Sequence, residues 1–99
     1  MKKIELNKIY IPSDKVVSRL IEDELIIVPI ESDTIDFDHT LFSLTKTGRE
    51  IWERLDKETT VQQICTDFSK KYNASIDTIS ADVVELLEDL LKRQLILPY

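Results

Sequence analysis

Ninety-nine residues, 42% hydrophobic and 32% charged, are enough for one domain with a single core and too few for two, and the balance excludes a disordered chain. The net charge of −6 argues against nucleic acid or an anionic membrane as partner, because phosphate binding draws on clustered Lys and Arg. Cys65 is the single cysteine, which excludes an internal disulfide and any Cys-based metal or iron–sulfur centre, so no cofactor is expected except in a partner.

The chain starts Met1-Lys2-Lys3 but meets Glu5, Asn7 and Lys8 before a signal-peptide core can form. Its longest apolar run, Leu25 to Ile30, falls far short of the roughly 20 residues of a membrane span. A cytoplasmic location is expected. Residues 1–15 read as an extended lead-in, with Ile9-Tyr10-Ile11 placed to pair at a sheet edge. Val16–Ile21 and Leu25–Ile30 are β-branched runs on either side of the acidic turn Glu22-Asp23-Glu24, the pattern of a hairpin. Pro29 marks an edge or a strand exit. The polar stretch 31–38 then reverses the chain into a third strand, His39 to Leu44, which completes a three-stranded antiparallel sheet.

Three helices follow. Thr47 with Glu50 has the spacing of a capping box and predicts a first helix from Gly48 that buries Ile51, Trp52 and Leu55. Thr60 with Gln63 repeats it for a second helix, where Val61, Ile64, Cys65, Phe68 and Tyr72 share one face. Asp77 is the expected N-cap of a third helix, Thr78 to about Arg93, with Ile76 and Ala81 as a hydrophobic staple. The apolar tail, Leu95 to Tyr99, should fold back on the core.

The third helix has a core stripe of Ile79, Val83, Leu86, Leu87 and Leu90, which Val84 and Leu91 widen to one side; Asp82, Asp89 and Arg93 lie on the other. Either the greasy shoulder walls a groove beside the third strand, or Val84 and Leu91 pack on the lead-in or the tail. A strand edge beside an apolar helix shoulder can catch an extended peptide by main-chain pairing and side-chain pockets. Leu41, Phe42, Ser43, Leu44 and Thr45 would form that edge, unless the strand is paired on both sides. Net hydrogen bonds of about 1 kcal/mol each do not reach the roughly 8 kcal/mol of a micromolar complex, so apolar anchors must contribute.

No catalytic constellation stands out, and the chain is not expected to be an enzyme. His39 is the only histidine and reads as a solvent-facing turn residue, while Cys65 sits on an apolar face as a small hydrophobe. Glu22, Asp23 and Glu24 read as a solvated turn, and Gly48, the only glycine, leaves no phosphate-cradling loop. A winged helix-turn-helix wiring, three strands followed by three helices in an α+β fold, invites a comparison with DNA-binding regulators. From Asp77 to Arg93, however, the helix in the recognition position carries Asp77, Asp82, Glu85, Glu88 and Asp89 against Lys92 and Arg93.

From about residue 15 to residue 97 the chain resembles the PqqD-like family, also called RiPP recognition elements. The resemblance rests on Leu44 before the Ile51-Trp52 pair, Leu55 followed by Thr60-Val61 and Ile64, Tyr72 at a helix end, and Asp82-Val83 with Leu87 and Leu90. It departs from the family at Thr45, where Asn is frequent, at Lys57-Glu58, where a turn Gly is frequent, and at Gln94, where Gly is frequent. The resemblance implies a peptide chaperone that binds the leader of a ribosomally made precursor between the third strand and the third helix. Carried over, the strand is Thr40 to Thr45 and the helix Asp82 to Arg93; Leu41 to Leu44 would supply the pairing edge, Val84, Leu87 and Leu91 would supply pockets, and Asp82, Glu85 and Asp89 would meet basic leader residues. A charge at Leu91 is then expected to abolish binding without unfolding. The partner would be a separate modifying enzyme, a radical SAM enzyme, cyclase or leader peptidase, as in pyrroloquinoline quinone or lasso-peptide synthesis. A winged-helix transcriptional regulator and a homodimerising module are the alternatives.

Overall fold

The computed structural model describes residues 3–30 and 42–99. In chain order it contains β1 (Tyr10–Pro12), β2 (Val16–Ile21), β3 (Glu24–Pro29), β4 (Phe42–Thr45), α1 (Thr47–Glu53), α2 (Val61–Tyr72), α3 (Ile76–Lys92) and β5 (Ile96–Pro98). The architecture is α+β. One antiparallel sheet has the order β2-β3-β4, and β1 pairs with β5 in a second, two-stranded sheet. No helix among the described residues is long and apolar enough to cross a membrane.

The expected hairpin forms with Val16 opposite Pro29 and Ile21 opposite Glu24, so Glu24 belongs to the strand and the turn is Glu22-Asp23. Glu22 holds a φ of 56°, the positive value that two-residue hairpin turns require. In β4, Leu44 pairs with Leu25 and Phe42 with Ile27. Residues directly opposite on antiparallel strands share a face, so Leu25, Ile27 and Leu44 turn together into the core. Of the strand expected from His39, residues 39–41 lie outside the described residues.

The helix starts divide into one expectation met and two corrected. Thr60 caps α2, its side chain accepting from the Gln63 N–H at 3.2 Å. At α1 the capping box does not form: Lys46 holds the N-cap position at φ 48°, without a side-chain cap. The Glu50 carboxylate is drawn away to accept from the Tyr72 hydroxyl and from Lys71 Nζ at 3.0 Å. At α3 the cap is Ser75, whose Oγ accepts from the Thr78 N–H at 3.2 Å, and Asp77 lies in the first turn. Ile76 and Ala81 are both exposed, so the staple does not close.

The lead-in and the tail close the back of the molecule. The carbonyls of Lys8 and Leu6 accept from the Val61 and Gln62 N–H groups at 3.0 and 2.9 Å, satisfying donors that a helix start leaves free. Tyr10 is buried, and its hydroxyl accepts from the Glu5 N–H. Leu95 and Ile96 enter the core, while Leu97 and Tyr99 stay exposed. Ile27, Ile64, Leu87, Leu90 and Ile96 form the centre of that core, where the sheet, α2, α3 and β5 meet.

Candidate functional site

Among the described residues β4 pairs only with β3, so its second edge is open. Ser43 is exposed, and Phe42 packs partly against the core. Helix α3 approaches this strand at one end and the start of α1 at the other. At one end of the pair, the Arg93 guanidinium lies 5.0 Å from the centre of the Phe42 ring. At the other, Asp82, Val83 and Leu86 share a cavity with Thr47 and Gly48, which open α1 beyond Lys46 at the end of β4. The two elements are therefore antiparallel. From Asp82 to Arg93 a helix rises about 16 Å, longer than the extended span of about 10 Å from Phe42 to Thr45.

The flank of α3 that faces β4 is the charged one. At about 100° per residue, Asp82, Leu86, Asp89 and Arg93 fall within about 60° of one another. Asp89 accepts from Arg93 Nε at 3.1 Å and so holds the guanidinium near Phe42. Glu85 joins Asp82, Leu86 and Asp89 around an open recess of about 480 Å³. Next to it, Ile51, Phe68, Tyr72, Ile79, Val83 and Leu86 enclose most of an apolar cavity of about 300 Å³. Gly48 lets α1 approach β4 here, since a Cβ on it would stand 3.1 Å from Leu44 Cδ2.

Tyr72 forms one wall of the cavity and is tied down from outside. Its hydroxyl donates to the Glu50 carboxylate, which Lys71 also holds, and its ring meets Phe68 edge-on at 5.9 Å. The Tyr72 hydroxyl and, after it, Lys71 keep the Glu50 carboxyl below its ordinary range. Cys65 is buried, and burial pushes its thiol up, against a smaller opposing contribution from Ser80, so it is held in the protonated, unreactive form.

The residues named from the sequence divide among these surroundings. Phe42, Ser43, Leu44 and Thr45 form β4, and Asp82, Glu85 and Asp89 line the open recess on α3. Thr40 and Leu41 lie outside the described residues. Leu87 is wholly buried, and Leu91, at 7% exposure, turns away from β4 to line a different recess with Tyr10, Ile96 and Leu97. Val84 is partly buried on Leu91's side of the helix. Leu86, Ile79, Ile51, Phe68, Tyr72 and Arg93 were read as core or helix-face residues and not as part of the site. Leu86 had a readable signal, since it lies four residues after Asp82 and three before Asp89 on the same face.

A family model described as coenzyme PQQ synthesis protein D (PqqD) matches residues 24–96. Among solved structures, the chain is similar to TbiB1 in complex with the TbiA(beta) leader peptide, with a TM-score of 0.73 and 26% identity. The match covers 90% of this chain and 96% of that one. A comparison with curated proteins gives no match. With the matched residues running from β3 to β5 and including both walls beside β4, the chain belongs to the coenzyme PQQ synthesis protein D (PqqD) family.

Proposed function

We propose that this chain is a non-catalytic adaptor that binds the leader of a ribosomally synthesised precursor peptide and presents it to a separate modifying enzyme. The observation that carries the reading is the edge of β4 that pairs with no described strand, with α3 approaching it at Phe42. A leader would add a strand to that edge, with alternate side chains turned toward Asp82, Leu86 and Asp89. The similarity to TbiB1, itself in complex with a leader peptide, supports the same reading. Holding the leader raises the local concentration of the attached core peptide at the enzyme, which accelerates modification without any catalytic group in the adaptor. The partner would be a radical SAM enzyme, a cyclase or a leader peptidase.

The test is a backbone amide NMR titration of labelled protein with the leader half of a precursor peptide encoded beside its gene. Saturable shifts at Phe42–Thr45 and along Asp82–Arg93 are expected. Shifts confined to the β1–β5 face, or none at millimolar peptide, would reject the reading for that peptide.

A further inference from the structure

The three-stranded sheet has a second edge, opposite β4, and that edge carries exposed apolar side chains. Among the described residues β2 pairs only with β3, and Val17, Leu20 and Ile21 on it are exposed, Leu20 to 58%. Proteins ordinarily blunt such an edge with a Pro, a bulge or an inward-pointing charge. In β2 none of these is found: Val16–Ile21 holds no Pro, pairs residue for residue with β3, and carries its one charge, Arg19, opposite Ile26 on the face away from the buried Leu25 and Ile27.

The hydrogen bonds of the hairpin show which backbone groups of β2 are left over. Antiparallel pairs alternate between those that exchange hydrogen bonds and those that do not. The Ile30 N–H donates to the Lys15 carbonyl at 2.8 Å, and Pro29, which has no N–H, stands opposite Val16. Odd-numbered residues of β2 therefore bond to β3, and the N–H and C=O groups of Ser18 and Leu20, with the Val16 carbonyl, point to the free edge. A second β2 has the same free groups, so two antiparallel copies bond even residue to even residue and their two-fold axis passes through a residue. Centred on Val17 the axis would set Lys15 directly against the partner's Arg19, and centred on Arg19 it would oppose two arginines; like charges so placed are destabilising. Centred on Leu20 the pairing would run into the Glu22-Asp23 turn. Centred on Ser18, Val16 meets the partner's Leu20, Val17 meets the partner's Arg19, Lys15 meets the partner's Ile21, and no like charges stand opposite.

We propose that the free edge of β2 is a homodimerisation surface, on which a second copy of this chain adds its own β2 antiparallel, centred on Ser18, to give one six-stranded sheet. The two β4 edges then lie at the far ends of that sheet, so dimerisation and pairing at β4 do not compete. One strand pairing is small beside the roughly 1,200 Å² of a stable interface, so the dimer is a weak one that forms at high concentration.

Sedimentation equilibrium of the full chain between about 10 µM and about 1 mM should show the mass rise from one chain of 11.5 kDa toward two. Ser18→Pro removes a donor that β3 does not use, at an edge position where Pro is tolerated. It should hold the protein at one chain throughout, in material shown to be folded by its amide spectrum. Ser18→Cys should give a disulfide-linked dimer on oxidation by diamide, because residues on the axis have Cα atoms about 5.5 Å apart. Arg19→Cys should not, since its two copies stand on a diagonal of about 7–8 Å. Cys65 is buried and does not interfere. A single chain at the highest concentration, unchanged association of Ser18→Pro, or crosslinking of Arg19→Cys in place of Ser18→Cys overturns the proposal. So does a dimer that the leader peptide dissociates, which would place the pairing at β4. The leader titration reads β4 and the crosslinking reads β2, so either result can fail without the other.

Discussion

Gly48 is the only glycine of this chain, and among the described residues four others, Glu22, Lys46, Asn73 and Gln94, stand at positive φ. Gln94 is the most informative of them. The Leu95 N–H donates to the Leu90 carbonyl and the Gln94 N–H to the Leu91 carbonyl, both at 3.0 Å, which is the double bond of a Schellman ending on α3. That ending prefers Gly at the left-handed position, where a Cβ costs about 1–2 kcal/mol. Glycine also gains entropy in the unfolded chain, an offset of about 0.4–1 kcal/mol. Gln94→Gly should therefore stabilise the protein by about 0.5–1 kcal/mol, seen in urea as a higher midpoint at an unchanged slope. A lower midpoint would mean that the Gln94 side chain contributes more than its backbone strain costs.

At the scale of elements, α3 shows what a sequence can and cannot disclose. Its period, its length and its two unlike shoulders were legible, because hydrophobic residues at helical spacing report burial directly. Which shoulder faces β4 was not. Leu91 is apolar whether it meets a ligand or the lead-in, and only the position of β1 and β5 decides between them. The Thr60 cap was legible because Thr60 and Gln63 are local to each other. The box expected from Thr47 and Glu50 failed because the partners of Glu50 come from α2, more than twenty residues away. The cavity was hidden for the same reason, since its walls converge from three helices. These placements change the meaning of a charge at Leu91. Leu91→Glu puts a carboxylate in the core cluster beside Tyr10 and Ile96, and should cost about 3 kcal/mol or more in urea unfolding. If the variant instead kept its stability and lost only leader binding, the groove would have to lie on the Leu91 side of the helix.

Across the whole molecule, the two flanks of α3 are put to different uses. One flank lies beside the open edge of β4; the other is sealed by the lead-in and the tail, with Ser13 and Leu95 joined by a 2.9 Å hydrogen bond and Tyr99 and Ile9 by another. The family match begins at residue 24, and the lead-in ahead of it gives Leu91 and Ile96 their cover. Tyr10 is its anchor: the side chain is 2% exposed, and its hydroxyl bridges the Glu5 N–H and the Lys3 carbonyl. Truncating a large buried aromatic costs about 3–5 kcal/mol. Tyr10→Ala should thus lower stability by about 3 kcal/mol, a large share of the roughly 5–15 kcal/mol of an ordinary domain. Binding should respond differently, because no described residue of the lead-in lines either recess on the Asp82 flank of α3. Measured where the variant is still folded, its affinity for the leader should match that of the parent chain. A weakened affinity in folded protein would show instead that α3 transmits the loss of its back support to the groove, making the lead-in a determinant of binding rather than of stability alone.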